Sequence, residues 1–140
     1  MPTRTANAHW EGSLAAGKGT VSLDSSGAGS FDVSWPARAE QPGGLTSPEE
    51  LIAAAHASCF SMALSSGLSK AGTPPRTLDT RAEVTLEVGT GITGIQLTVR
   101  GSVDGIDEAT FVAAAEQAKE NCPVSKALTG TTIRLEASLG

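Results

Sequence analysis

The chain is poor in positive charge and in aromatic residues. Its 140 residues include 10 Lys and Arg against 15 Asp and Glu, which gives a net charge of −5, and aromatic residues make up only 4%. The basic residues form no cluster along the sequence. Nucleic acids bind to positively charged surfaces, so this composition argues against nucleic acid and against other anionic partners.

Cysteine is scarce, and a secretory signal pattern is not visible. Residues 1–4 open directly into polar sequence, so a cytoplasmic location is expected. Cys59 and Cys122 are the two cysteines, 63 positions apart. A permanent structural disulfide is uncommon in the cytoplasm, which leaves a redox or catalytic role, or simple burial, for these thiols.

The longest stretch without any charged residue covers residues 51–69 and is rich in Ala and Ser. Before it, Ser47 and Glu50 have the spacing of a capping box, and Pro48 suits the first helical position. Gly72 predicts the end of the helix. This pattern predicts a long central helix surrounded by protein. A membrane span is disfavoured because such spans are mostly strongly apolar residues, and this one is mostly Ala and Ser.

The remaining sequence predicts strands on both sides of the central helix. Before it we expect three strands that form a meander with one apolar face, at residues 3–14, 20–24 and 31–35. His9 lies in the first of these and is expected to be a partly exposed strand residue. Residues 36–45 read as a loop that carries Arg38. The chain is short and contains no linker or repeat, which predicts one domain over residues 1–140.

After the central helix, alternating apolar residues predict an antiparallel strand pair, at residues 80–88 and 95–103. A second helix is expected from about Asp107, its cap, to Glu120, followed by a short helix that Pro123 begins and a last strand at residues 131–139. The order βββ-α-ββ-α-β predicts an α+β fold.

The two cysteines differ in their predicted surroundings. Cys122, at the start of the short helix, would face unpaired backbone N–H groups that lower its pKa. Cys59 lies in the middle of the central helix, where apolar surroundings raise its pKa, so its thiolate needs a cation from elsewhere. Both cysteines could also be small buried hydrophobes without chemistry.

Helix geometry constrains the neighbours of Cys59. Glu49 lies on the same side of the helix, but ten residues at ~1.5 Å each separate the two by about 15 Å. If Glu49 takes part, we therefore expect it to come from a partner subunit. His56, one turn from Cys59, could act as a base, although a packed histidine is the more common role. A zinc site is disfavoured, because no C-x-x-C or H-x-x-x-H pair is present.

Two motifs carry a resemblance to a known family. The strings T-S-P-E-E-L-I-A-A-A-H-A-S-C-F-S-M-A-L, from Thr46 to Leu64, and N-C-P-V-S-K-A-L, from Asn121 to Leu128, together resemble the OsmC/Ohr family of organic hydroperoxide peroxidases. The likeness extends over essentially the whole chain. His56 and Val124 look like the OsmC branch, since the Ohr branch tends to have aromatic residues at both places.

The resemblance implies a thiol peroxidase without metal, haem or other cofactor, built as an intertwined homodimer with its active sites at the subunit interface. By matching position, Cys59 looks like the peroxidatic cysteine and Cys122 like the resolving one, with which it would form a disulfide. Arg38 and Glu49 match the pair that activates Cys59, Glu49 holding the guanidinium through a two-pronged hydrogen bond.

The implied substrates are organic hydroperoxides and, more weakly, hydrogen peroxide. A dithiol, such as a protein-bound dihydrolipoyl group, would act as reductant. Some of Phe60, Met62 and Leu64 would line the substrate pocket, although such residues are core by default. Two alternatives stay open: a non-enzymatic dimer that senses redox state or binds a small molecule, and a structural dimer with an incidental Cys59–Cys122 disulfide.

Overall fold

The computed structural model describes residues 1–140 and contains six strands and four helices. In chain order they are β1 (Asn7–Glu11), β2 (Lys18–Ser22), β3 (Ser30–Val33), α1 (Trp35–Ala39), α2 (Pro48–Lys70), β4 (Thr77–Glu87), β5 (Gly91–Ser102), α3 (Glu108–Asn121), α4 (Pro123–Ala127) and β6 (Thr132–Leu139). The α+β class and the order of the predicted elements are confirmed, and α1 is an addition to them. The chain divides into two compact units, Met1–Leu51 and Ile52–Gly140. The single domain stays a prediction.

The first unit contains a three-stranded antiparallel sheet in the order β1-β2-β3, as the meander prediction requires. β1 and β3 are shorter than predicted, β2 begins two residues earlier than predicted, and β1 is exposed along its whole length. The expected apolar face is therefore not covered within one chain. His9 lies in β1 with its side chain exposed, where its Nε2 contacts Glu11 Oε1 at 3.2 Å.

The segment after β3 is a helix where the sequence predicted first a strand and then a loop. Trp35 begins α1 instead of ending a strand, and Arg38 lies within that helix. The reason is local: Ser34 caps the helix by accepting a hydrogen bond from the Ala37 N–H at 3.2 Å, and Pro36 has the backbone angle that a first turn needs.

Helix α2 begins at Pro48, as predicted, but only half of the capping box forms. Ser47 Oγ accepts a hydrogen bond from the Glu50 N–H at 3.1 Å. The Glu50 carboxylate does not return to Ser47; it accepts a hydrogen bond from Thr46 Oγ1 at 2.6 Å instead. The start of the helix is therefore capped by the Ser47 side chain alone, without the return hydrogen bond from Glu50.

Within one chain, α2 buries Glu49 in its first turn and, further along, one stripe of side chains four residues apart: His56, Phe60, Leu64 and Leu68. The expectation that protein surrounds this helix is thus wrong for the isolated chain, and Met62 on another face is 72% exposed. By length and composition α2 is the one helix that would suffice to cross a membrane. That observation is weak, because core helices of soluble proteins meet the same criterion.

The second unit is built on a sheet in the order β4-β5-β6. The predicted antiparallel pair of β4 and β5 is confirmed, while β6 runs parallel to β5. Ile95, Leu97 and Val99 of β5 are buried in a core shared with α3 and the stripe of α2. Close packing depends on Gly101, where an added Cβ would lie 2.5 Å from the Phe111 ring.

Candidate functional site

The two cysteines lie in direct contact in the second unit. Both are free thiols, and the Cys122 thiol donates a hydrogen bond to Cys59 Sγ at a distance of 2.9 Å. Cys122 is fully buried, whereas Cys59 is partly exposed. Residues 63 positions apart are thus brought to a distance from which a disulfide needs only a small movement.

The local sequence explains how Cys122 reaches this position. Asp107 caps α3 by accepting a hydrogen bond from the Thr110 N–H at 2.8 Å, as predicted. The buried side chains of Phe111 and Ala115 pack α3 into the core. At the far end, Cys122 N–H still bonds to Ala118 O at 2.8 Å, and Pro123 then begins α4. Cys122 is therefore the single residue between the end of α3 and the start of α4.

The start of α4 contacts Cys59 through a backbone N–H group. The Cys122 side chain makes no capping hydrogen bond, contrary to the environment predicted for it. Burial raises the pKa of the Cys59 thiol, and the adjacent Cys122 thiol raises it further, through the hydrogen bond between the two sulfurs and, to a smaller extent, through charge repulsion. A hydrogen bond from the Val124 backbone N–H opposes this rise by favouring the Cys59 thiolate. The expectation that Cys59 needs an additional cation is consistent with this balance.

His56 is a packed residue with a specific partner. Its imidazole is fully buried, and Nε2 lies 2.7 Å from Ser125 Oγ in α4. Nδ1 has no hydrogen-bond partner. Burial lowers the pKa of His56, so the imidazole is neutral at pH 7. The sequence left two roles open for His56, a base and a packed histidine, and this geometry is that of a packed histidine.

Arg38 and Glu49 form an ion pair in the first unit. Arg38 Nε donates to both carboxylate oxygens of Glu49, at 2.7 Å and 3.1 Å. The geometry differs from the two-pronged bond that the resemblance implied, because a single N–H serves both oxygens. The Glu49 side chain is 9% exposed and that of Arg38 is 34% exposed. A carboxylate so buried is stable only with its cation in place.

An apolar cleft of about 380 Å³ opens beside this ion pair. Its walls are mostly apolar side chains, and Arg38 is the one charged residue among them: Trp10, Leu14, Val33, Ser34, Trp35, Arg38 and Pro48. The guanidinium carbon lies 6.0 Å from the centre of the Trp35 ring, within the range of a cation–π contact. The cleft suits a ligand with an apolar body and a polar group directed at Arg38.

The structure thus pairs the four predicted site residues two by two, Cys59 with Cys122 and Arg38 with Glu49. The expected pocket residues lie elsewhere: Phe60 and Leu64 are in the core, and Met62 is exposed. Trp10, Leu14 and Trp35 were missed as pocket residues. Their signal was weak: both tryptophans stand out in a chain with so few aromatic residues, but only Trp35 is close to Arg38 in the sequence. No group of three or more His, Cys, Asp or Glu side chains is arranged to hold a metal ion.

A pair of contacting thiols on an α+β scaffold, with a separate arginine–carboxylate pair beside an apolar cleft, is typical of proteins with thiol redox chemistry. The family model "OsmC-like protein" matches residues 41–137. Peroxiredoxin OsmC from Escherichia coli strain K12 is 48% identical over 124 residues, which cover 86% of this chain and 86% of that protein. The chain therefore belongs to the OsmC family.

Solved structures agree with this membership. An organic hydroperoxide resistance protein OsmC from Legionella pneumophila is 26% identical, with a TM-score of 0.76 over 99% of this chain and 98% of that one. The organic hydroperoxide resistance protein OhrB of Bacillus subtilis is also 26% identical, with a TM-score of 0.68 over 96% and 98% of the two chains. The OsmC/Ohr fold expected from the sequence is confirmed.

Proposed function

We propose that this protein reduces organic hydroperoxides with Cys59 as the peroxidatic cysteine and Cys122 as the resolving cysteine. The chain is an enzyme of the peroxidase class, because its family and its 48% identity to a peroxiredoxin carry that assignment. The observation that carries the proposed mechanism is the 2.9 Å contact between two free thiols.

The first step consumes the hydroperoxide. The Cys59 thiolate attacks the terminal oxygen of ROOH, a sulfur–oxygen bond forms, and the oxygen–oxygen bond breaks. The leaving alkoxide takes up a proton and departs as an alcohol, while Cys59 becomes a sulfenic acid. Cys59 is partly exposed, so a substrate can reach its sulfur, whereas the buried Cys122 is shielded.

The second step protects the oxidised cysteine. The sulfur of Cys122 attacks the sulfenic sulfur of Cys59, a disulfide forms, and the sulfenic oxygen leaves as water. Two thiols of an external dithiol then exchange with this disulfide and are themselves oxidised. A protein-bound dihydrolipoyl group has the required chemistry. A reducing cytoplasm, the proposed location, would keep such dithiols available.

The thiolate of Cys59 requires a positive group, because the surroundings within the second unit raise its pKa. We assign this role to Arg38, whose guanidinium is held by Glu49. Arg38 would also stabilise the negative charge that develops on the leaving oxygen. The helical spacing of Glu49 and Cys59 favours delivery of the pair from a second copy of the chain. The exposed face of α2, with Met62, supports a homodimer of this kind.

The apolar cleft supports organic hydroperoxides as the preferred substrates. A hydroperoxide with an aryl or alkyl body would place that body against Leu14 and Trp35 and its peroxide group toward Arg38. Burial of the apolar body contributes binding that hydrogen peroxide cannot make. The same cleft would accept hydrogen peroxide, but with less binding energy. The kcat/KM for hydrogen peroxide would therefore be lower.

The test is steady-state consumption of cumene hydroperoxide with dithiothreitol as reductant. Cys59→Ser should abolish turnover, because a hydroxyl at this position is not ionised at neutral pH. Ser69→Ala, an exposed serine on the same helix, serves as the matched control and should retain wild-type turnover. Undiminished turnover of Cys59→Ser would remove the catalytic assignment of Cys59. A wild-type protein without turnover would favour a redox-sensing or small-molecule-binding dimer.

A further inference from the structure

Helices α2 and α4 meet through two side-chain contacts with matching spacing. Cys59 and His56 lie three residues apart on α2, and Cys122 and Ser125 lie three residues apart at the start of α4. Cys122 contacts Cys59 at 2.9 Å, and Ser125 Oγ lies 2.7 Å from His56 Nε2. The thiol contact therefore stands beside a second, buried hydrogen bond between the same two elements.

We infer that His56 and Ser125 are positioning residues that hold Cys122 within reach of Cys59. The inference rests on the proposed function, in which Cys122 must attack the oxidised Cys59. Neither side chain contacts either sulfur through a hydrogen bond, so their effect on the reaction is exerted through the placement of α4.

The construction of α4 explains why it needs such an anchor. The helix has five residues, too few to be stable by itself, and no side chain caps its start. Its position must therefore come from tertiary contacts. The His56–Ser125 bond is one of them, and both residues are buried, at 0% and 5% exposure. A hydrogen bond shielded from water resists exchange with solvent and fixes the distance between its two elements.

Ser125 is also the only hydrogen-bond partner of the imidazole. His56 Nδ1 is buried without a partner, so no other polar contact fixes the orientation of the ring. Loss of the Ser125 hydroxyl would leave both ring nitrogens without a hydrogen-bond partner. The hydrogen bond that joins the imidazole to α4 would also be lost. We expect a wider range of Cys59–Cys122 distances in such a variant.

The distance matters most after Cys59 has become a sulfenic acid. That species either reacts with Cys122 to form the disulfide or meets a second hydroperoxide and becomes a sulfinic acid. Anchoring of α4 favours the disulfide. It should affect the first oxidation of Cys59 less, because Cys122 is not a nucleophile in that step and α4 acts on the Cys59 thiolate only through the opposing effects of the Val124 N–H and the Cys122 thiol.

The variant Ser125→Ala tests the inference with little effect on α4 itself, because Ala has a higher helix propensity than Ser. Ser125→Thr retains the hydroxyl and is the rescue variant, and Ser69→Ala is the control. The first measurement is the effective concentration of the two thiols, from equilibration of the protein dithiol with oxidised glutathione, which yields the protein disulfide and two reduced glutathione molecules. This measurement uses no peroxide and is independent of peroxidase activity.

We expect the effective concentration in Ser125→Ala to fall about three- to tenfold, which corresponds to the net contribution of one hydrogen bond. The fraction of sulfinic acid formed under excess cumene hydroperoxide should rise, and Ser125→Thr should restore most of the loss. The rate of the first oxidation should change less than the effective concentration does. If Ser125→Ala does not fold, as judged by circular dichroism, His56→Gln should show the same changes.

An unchanged or increased effective concentration in Ser125→Ala would overturn the inference and leave the proposed function intact. A wild-type protein that forms no Cys59–Cys122 disulfide with oxidised glutathione or with peroxide would overturn both. A slower first oxidation, with an unchanged disulfide equilibrium, would also contradict a positioning role, since it would mean that the pair acts on Cys59 alone.

Discussion

Glu49 holds Arg38 by a single nitrogen. Both carboxylate oxygens accept from Arg38 Nε, at 2.7 Å and 3.1 Å, and the two terminal nitrogens of the guanidinium donate to no acceptor in the protein. The ion pair therefore fixes the orientation of the guanidinium while its terminal N–H groups stay available. These groups are the ones that can approach a thiolate or a peroxide oxygen in the proposed reaction.

Replacement of Arg38 by Lys keeps the charge but removes the Nε–H and the planar fork. The three donors of Lys are on one nitrogen, so a Lys bonded to Glu49 cannot also present a planar pair of donors on separate nitrogens to the substrate. We expect Arg38→Lys to lower kcat/KM for cumene hydroperoxide by about 10²-fold, the typical cost of removing one donor that stabilises a developing oxyanion.

The matched control is Arg81→Lys, since Arg81 forms an exposed ion pair with Glu83 at 2.8 Å, on strand β4. Exposed pairs contribute little to stability, so this variant should keep wild-type kinetics. Equal kcat/KM values for Arg38→Lys and wild type would exclude Arg38 from the reaction.

Removal of the resolving thiol should separate the two steps of the cycle. In Cys122→Ser the Cys59 sulfenic acid has no partner, so excess hydroperoxide should convert it to sulfinic acid. Intact-mass measurement should show the addition of two oxygen atoms to a single thiol, after one fast turnover. Sustained turnover with dithiothreitol at the wild-type rate would show that Cys122 does not resolve the intermediate.

The apolar cleft predicts a substrate-dependent effect at Leu14. A polar side chain there would weaken contact with an aryl or alkyl group and leave a small substrate unaffected. Leu14→Gln should lower kcat/KM for cumene hydroperoxide about tenfold and change the value for hydrogen peroxide little. Val88→Gln is the control, because Val88 is similarly exposed but lies outside the cleft. A parallel loss for both substrates would place the binding site elsewhere.

The buried imidazole predicts a pH dependence of stability. Burial lowers the pKa of His56 from its ordinary value of 6.5, so below about pH 6.5 the unfolded chain binds a proton that the folded chain does not. The free energy of unfolding should therefore fall as the pH decreases below about 6.5, by at most ~1.4 kcal/mol per pH unit from this group.

Urea unfolding at several pH values measures this dependence. His56→Gln should show a shallower decrease than wild type, whatever its stability at pH 7, because glutamine does not titrate. His9→Gln, a change at an exposed histidine in β1, should retain the wild-type slope. Identical slopes for wild type and His56→Gln would mean that the imidazole is not buried in its neutral form in solution.

Most of the fold followed from local patterns in the sequence. The alternation along residues 80–88 predicted β4, whose burial alternates along its length, and Asp107 marked the start of α3. The failures occurred where two local signals competed. Trp35 continues the alternation of Phe31 and Val33, but Ser34 and Pro36 together favour a helix, and the cap decides the outcome.

The candidate site was harder to predict from the sequence than the fold was. The position of Cys59 in the middle of an apolar helix indicated that it needs a cation, and the two motifs and the family resemblance supplied the four residues. No spacing rule could show that Cys122 would lie against Cys59. That contact depends on the packing of α3 against the sheet, including the close approach of Phe111 to Gly101. The His56–Ser125 bond was missed for the same reason, since its partners are 69 residues apart. Such contacts are set by tertiary structure.

The contact between the two sulfurs is tested most directly by oxidation of the reduced protein with one molar equivalent of cumene hydroperoxide, followed by peptide mapping without reductant. We predict that one peroxide is consumed for each Cys59–Cys122 disulfide formed within a single chain. Consumption of peroxide with both cysteines still present as thiols, or a disulfide that forms no faster with peroxide than with air, would contradict the proposed mechanism.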